Sequence, residues 1–395
     1  MSNSLVTCSI VAKESLAILE NMLGFSSNVN RDWEDEFSDN MSRGYAPGST
    51  VNIKKPPRYT YRAGRVAVPQ ATTESTVPLV LQQGGTDLNF TSFERTLSLT
   101  KLENKLQAAM ATVANEIDRQ GLDLARTATF NTLNPTGAVP NTQALALAAV
   151  TGINQRLDEM GAPRDKQRAL ALSPSLNASF VQGFAGLFNG QSALTKQFGS
   201  GVMVDSLGIS YSMDQNVATH TNGTQAVAGT AVAAGLSGAS IACAALAGTI
   251  SKGTVVQFPG VFAVNPQSRT STGVLAQFVI TADLLAGAVA LPISPAIVST
   301  GAFQNVTNNT TAANFTIVGA ANTGYQANVG FHKDAFTLAC VPMWAPPGGK
   351  GVIDVAQESY KGMNIKVTEF YDGVNDNSLM RLDVIFGWAA TYPEL

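Results

Sequence analysis

Residues 10–25 place Val11, Leu16, Ile18, Leu19, Met22 and Leu23 at helical spacing before Gly24, which predicts a short amphipathic helix. Residues 45–81 read differently. Val51 and Ile53, and Tyr59 and Tyr61, alternate with polar positions, Val66 and Val68 follow, and Pro47, Pro56, Pro57 and Pro69 punctuate them. Alternation flanked by prolines predicts a long two-stranded loop rather than a buried sheet. The strongest periodicity follows over residues 98–126, where Leu99, Leu102, Leu106, Ala109, Met110, Val113, Ile117 and Leu124 recur at three- and four-residue steps. Lys101, Glu103, Lys105, Glu116, Asp118 and Arg119 take the remaining positions. That pattern predicts a helix of about 43 Å with one apolar stripe, and Gly121 is a point at which it can bend.

A second helix is predicted over residues 142–160, ended by Gly161-Ala162-Pro163. A short buried strand follows at 169–172 and a further helix at 175–187. From about His220 the pattern turns to β. Residues 254–258, 260–264 and 274–280 read as short strands separated by Gly, Pro and Asn, as in a small barrel or sandwich. The chain closes with a strand over 379–388, and no internal repeat of fixed period is present.

Charge changes the picture. Of 395 residues, 45% are hydrophobic but only 13% are charged, about half the usual share. A soluble monomer of this length normally carries more charge, so much of the surface is expected to lie against other chains. A net charge of −3 excludes a bulk electrostatic grip on nucleic acid or on an anionic membrane. The uncharged stretch 215–251 is too rich in Gly, Ser, Thr and Asn for a spanning helix. Cys8, Cys243 and Cys340 are odd in number and far apart, which suggests reduced thiols in a cytoplasmic setting, and no secretion signal is read at the N-terminus. N-x-S/T sequons such as Asn89, Asn177, Asn222, Asn305, Asn308, Asn309 and Asn314 are read as compositional.

The charges are also unevenly placed. Residues 1–130 hold 13 Lys/Arg and 14 Asp/Glu, whereas 201–330 hold only Lys252, Arg269, Asp205, Asp214 and Asp283. Asp32, Glu34, Asp35, Glu36 and Asp39 form an acidic run; Lys54, Lys55, Arg58, Arg62 and Arg65 follow with no acid between Asp39 and Glu74. Three readings are open for the basic stretch: a solvated loop, a nucleic-acid site using Tyr59 and Tyr61, or a loop that meets the acidic run of a neighbouring copy. The third fits the whole chain best, because complementary patches fix register between copies.

Catalytic chemistry is poorly represented. His220 and His332 stand in no metal-binding spacing and read as ordinary surface or turn residues. No G-x-S-x-G elbow occurs. Gly348-Gly349-Lys350-Gly351 lacks the spacing of a phosphate loop and reads as a hairpin turn. Asp158 and Glu159 are adjacent and point to different helix faces, so they give no acid–base pair. No catalytic residue, cofactor or metal site is expected.

The order of parts resembles the major capsid proteins of tailed bacteriophages, with their Hong Kong-97 type α+β fold, and most of all the Salmonella podovirus coat proteins that carry an insertion domain. Three segments carry the likeness: Asn328-Val329-Gly330-Phe331-His332-Lys333-Asp334-Ala335-Phe336, where that family resumes after its insertion; Lys252-Gly253-Thr254-Val255-Val256-Gln257-Phe258-Pro259-Gly260-Val261, within the inserted barrel; and the terminal strand 379–388 with Pro393-Glu394. The resemblance implies an N-terminal arm (1–44), an E-loop (45–95), a P-domain with the spine helix (96–140), a first A-domain segment (141–218), a β-rich insertion domain (219–327) and an A-domain/P-domain return (328–395). It further implies a non-enzymatic subunit of an icosahedral head, assembled in the host cytoplasm as hexamers and pentamers. A separate scaffolding protein, a portal, non-specifically contacted DNA and a decoration protein would be its partners, and no membrane. The alternative is another self-assembling subunit, of a tail tube or a surface layer.

Overall fold

The computed structural model describes residues 8–31, 50–62, 64–67, 69, 75–91, 102–133, 139–184, 200–201, 203, 205–307, 313–345 and 352–395. The chain divides into two compact units, each woven from separate stretches of sequence.

The first unit is built on a six-stranded sheet. Its order is β1 (Thr50–Lys55), β2 (Ser75–Thr91), β17 (Asn377–Ala390), β16 (Met363–Asp372) and β15 (Val352–Tyr360), with β14 (Phe336–Val341) also paired to β17. Helix α1 (Cys8–Met22) packs on β15 and β16. It buries Val11, Leu16 and Leu19 of the predicted apolar positions, and Ala12 beside them, while Ile18 is half-buried. The Cys8 amide donates to the Asp354 carboxylate at 3.0 Å and the Ser9 hydroxyl to Glu358 at 3.0 Å, tying the start of the helix to the sheet.

The expected free-standing two-stranded loop is only partly realised. β2 runs antiparallel to β17 from Val80↔Trp388 to Thr91↔Asn377, so most of this strand belongs to the sheet. Ile53 and Leu79 are buried with Ala339, Val341 and Ala389. The reason is burial: two apolar side chains at the base suffice to fasten a segment that is otherwise polar.

The long helix forms as α2 (Leu102–Ala128), with Leu106, Met110, Val113 and Ile117 buried. Residues 98–101 of the expected span lie outside the described residues. Two of its positions depart from the simple stripe. Asp118, placed by pattern among the polar positions, is buried and accepts the Gly24 amide at 2.8 Å, the Ser26 amide at 3.0 Å and the Ser26 hydroxyl. It satisfies the turn that follows α1. Gly121 serves packing, for a Cβ there would lie 2.6 Å from the Trp388 ring and 2.9 Å from Phe25. Those two rings stack at 5.5 Å, and the Trp388 indole donates to the Ile117 carbonyl at 3.2 Å.

The second unit contains two layered bodies. Helices α3 (Gln143–Glu159) and α4 (Pro174–Phe184) cover a three-stranded sheet of β13 (Val329–His332), β3 (Arg168–Leu172) and β4 (Ile209–Met213). Val150, Leu170, Leu172, Phe180, Phe184 and Ile209 form its core. Thr142 caps α3, accepting the Leu145 amide, and Gly161 follows the helix at φ +82°, as the Gly-then-Pro ending predicts. Asp158 and Glu159 do part, the first to Arg164 and Arg168, the second to Arg156.

The other body is a β-barrel. Its strands are β6 (Ala228–Ala231), β11 (Asn314–Ile317), β8 (Val255–Val264), β9 (Ser271–Ile280), β10 (Ala290–Ile297) and β7 (Gly238–Ala242), in that order. A bridge between Val232 and Cys243 joins the edges, so the sheet closes on itself. Phe258, Phe278, Phe315, Ile280 and Leu291 fill it. The two short strands expected at 254–258 and 260–264 are one strand, β8, whose register with β9 shifts between Gln257 and Phe262. Gly260, at φ +78°, lets the chain pass Pro259 without leaving the sheet. β5 (Thr219–Thr221) pairs with β12 (Gly324–Gln326) beside the barrel. Among the described residues no helix is long and apolar enough to cross a membrane, and no three side chains are grouped to hold a metal.

Candidate assembly interface

The basic stretch begins where β1 passes Ile53, and it divides into a tethered base and an exposed tip. At the base, the Lys55 ammonium lies 5.2 Å from the centre of the Tyr392 ring, and Arg58 pairs with Glu394 at 3.2 Å. Burial pushes the Lys55 ammonium below its ordinary pKa, Glu394 works in the opposite direction, and Arg58 adds to the lowering. The tail that supplies Tyr392 and Glu394 is itself held. The Tyr392 amide donates to the Ala335 carbonyl at 3.1 Å, and the His332 amide to the Leu395 carbonyl at 3.0 Å. A third anchor comes from Arg269, which donates to the Tyr59 carbonyl at 2.9 Å.

The tip is different. Tyr61 is 93% exposed and Val66 80% exposed. Arg62 turns back on the carbonyls of Gly64, at 2.5 Å, and Val66, while Arg65 and Lys54 are exposed. The structure therefore brings Lys55 and Arg58 together with an acid of their own chain, and leaves Arg62 and Arg65 facing solvent. Asp32, Glu34, Asp35, Glu36 and Asp39 lie outside the described residues, as do Gly348, Gly349, Lys350 and Gly351. Tyr392, Glu394 and Arg269 escaped the pattern reading, since more than two hundred residues separate them from the loop. A clue existed in Arg269, one of two cations in residues 201–330.

A cavity of about 420 Å³ opens beside this base, lined by Arg58, Tyr59, Met160, Pro266, Arg269 and Tyr392. Arg269 is reached through a left-handed turn, φ +56°.

The two histidines need correction: both are buried, not surface or turn residues at the solvent. His220 Nδ1 lies 2.9 Å from Arg126, which can only donate, so this nitrogen carries no proton and Nε2 faces the Thr254 hydroxyl at 3.3 Å. Burial, then the Arg126 charge, pushes His220 down to about 4, and the ring meets Tyr325 edge-on. His332 Nε2 lies 3.1 Å from the Asp165 carboxylate, and Asp334 stands 3.5 Å from Nδ1. His332 Nδ1 also accepts the Asp334 amide at 3.3 Å, which holds the turn that follows β13. Among the described residues neither histidine belongs to a group of three side chains that could hold a metal ion.

The family model described as "P22 coat protein - gene protein 5" matches residues 176–395, more than half of the chain. No curated protein matches. Among solved structures, the chain is similar to one from Mycobacterium phage Che8, at 13% identity and a TM-score of 0.47, over 94% of this chain and 89% of that one. It is also similar to a chain in the asymmetric unit of the bacteriophage PhiM1 mature capsid, at 10% identity and a TM-score of 0.43, over 88% and 81%. A third likeness is to the virus-like particle from Pyrococcus furiosus, at 8% identity and a TM-score of 0.40, over 97% and 95%.

Proposed function

From a chain that belongs to the P22 coat protein family, and is thereby a major capsid protein of Hong Kong-97 type fold, we infer how its residues serve a shell. Many copies form the head of a tailed bacteriophage, and the protein is a component of the virion. Its role is structural and non-enzymatic. The copies group as hexamers and pentamers, assembled in the host cytoplasm on a separate scaffolding protein and around a portal. Packaged DNA is touched without sequence preference, and a decoration protein can be added outside.

The E-loop is the element we assign to contacts between copies. The observation that carries this reading is the division of the basic stretch: its base is fastened by Tyr392 and Glu394, while Tyr61, Arg62 and Arg65 are exposed. A loop fixed at its root and apolar or cationic at its tip loses little freedom when it docks. Its complement is the acidic run Asp32, Glu34, Asp35, Glu36 and Asp39 of a neighbour. Exposed ion pairs are individually weak, about 0–1 kcal/mol. A closed shell repeats each of them in every subunit, so weak contacts add to a stable whole.

Charge reversal tests this. The double variant Arg62→Glu/Arg65→Glu is expected to stay folded, with an unchanged thermal midpoint, and to give almost no closed shells by electron microscopy. Mixing it with a chain carrying Glu34→Lys, Asp35→Lys and Glu36→Lys should restore them. Undiminished shells from the double variant alone would remove the loop from the interface.

A further inference from the structure

The cavity beside the loop base has a composition that the tethering role does not use. Arg58 spends one nitrogen on Glu394, and a guanidinium carries five N–H donors. Arg269 donates through Nη2 to the Tyr59 and Ala302 carbonyls, and neither bond uses its Nη1 donors. The other walls include the aromatic or apolar Tyr59, Tyr392, Met160 and Pro266, with Gln267 and Glu394 as the polar members. Two guanidiniums beside such walls suit a segment that offers both carboxylates and rings, since Arg pairs with the first and stacks on the second.

This sequence contains one segment of that composition near the loop. Residues 32–39 read Asp-Trp-Glu-Asp-Glu-Phe-Ser-Asp, with Trp33 and Phe37 set among five acids. We propose that the cavity seats Trp33 or Phe37 and an adjoining carboxylate of this segment from a second copy of the chain, with Arg269 as the main anion-binding residue. The assignment rests on the reading of residues 54–65 as a surface between copies, and specifies where the acidic run ends. Glu394 stays on Arg58, so the incoming carboxylate goes to Arg269 and the incoming ring lies against Met160, Pro266 and Tyr392. Eight residues reach about 27 Å when extended. A volume of about 420 Å³ is in the range that holds a side chain of this size.

The test is fluorescence anisotropy of a labelled peptide carrying residues 30–40, titrated with the full-length unassembled chain. Binding is expected, weakened about tenfold by Arg269→Gln and only partly recovered by Arg269→Lys, whose ammonium has no side-on pair of donors. A peptide with Trp33→Ala and Phe37→Ala should lose a similar factor, and this variant leaves the protein itself untouched. Binding that falls with Arg62→Glu/Arg65→Glu but ignores Arg269→Gln and both ring substitutions would overturn the cavity and keep the loop reading. The opposite pattern would keep the cavity and overturn the loop reading. Binding seen only after the protein's own acids at 32–39 are neutralised would mean that the cavity is filled within one chain, which overturns the second copy as occupant. No binding under any of these conditions overturns the proposal.

Discussion

At the scale of single residues, two positions do work that their identity alone conceals. His220 is neutral because Arg126 can only donate to it and because burial disfavours the charged ring. Its folded value, about 4, lies below the ordinary 6.5, so the unfolded chain takes up a proton first as the pH falls. The stability it contributes is full above about 6.5 and is lost as the pH drops toward 4, amounting to about 3 kcal/mol. Tyr325, pushed up to about 12 by burial, stays neutral over this window. Urea unfolding of the unassembled chain should therefore show a fall in stability between pH 7 and 4.5 that is smaller in His220→Gln. An equal fall in both would show that the ring does not titrate in this way. Gly121 offers a second check. In an exposed helix, Gly→Ala stabilises by about 1 kcal/mol. Here the added carbon would strike Trp388 and Phe25, so Gly121→Ala should lower the thermal midpoint, by about 1–3 kcal/mol in stability. A raised midpoint would contradict the packing described.

At the scale of elements, the tail formed by residues 391–395 acts as a strap on the loop base. Replacing Tyr392 with Ala and Glu394 with Gln together removes a cation–π contact and a half-exposed ion pair. Amide exchange across residues 58–62 should then quicken by about fivefold, read by mass spectrometry; unchanged exchange would mean that the loop holds itself. Nothing in the linear pattern announced this strap, because it joins residues more than three hundred positions apart. What the pattern did announce was local. The apolar steps of α1, α2 and α3 gave their positions, since side chains three and four apart share a face whatever the tertiary fold. Residues 215–251 were opaque for the converse reason. Their Ala, Gly, Ser and Thr alternate too weakly to mark β5, β6 and β7, whose places are set by pairing with β10, β11 and β12. The burial of Asp118, His220 and His332 was equally unreadable, because each is buried by elements distant in sequence. Prolines misled in one place, where Pro259 marked a break that Gly260 lets β8 absorb.

At the scale of the whole molecule, the shortage of charge and the family membership point the same way. A chain with 13% charged residues, and only five charges across residues 201–330, has little to keep a lone barrel of Thr, Asn and Ser apart from its neighbours. The chain belongs to a coat protein family, whose members assemble in many copies. The fold supplies two units built from interleaved sequence, and residues 54–65, fixed at their root, present the exposed tip that we propose meets the next copy. The measurement that tests this account most directly is negative-stain electron microscopy of the purified chain, expressed with and without a scaffolding protein. Closed isometric shells with the scaffold, and curved or irregular shells without it, are the predicted result. Flat lattices, tubes or a dispersed monomer in both preparations would contradict it.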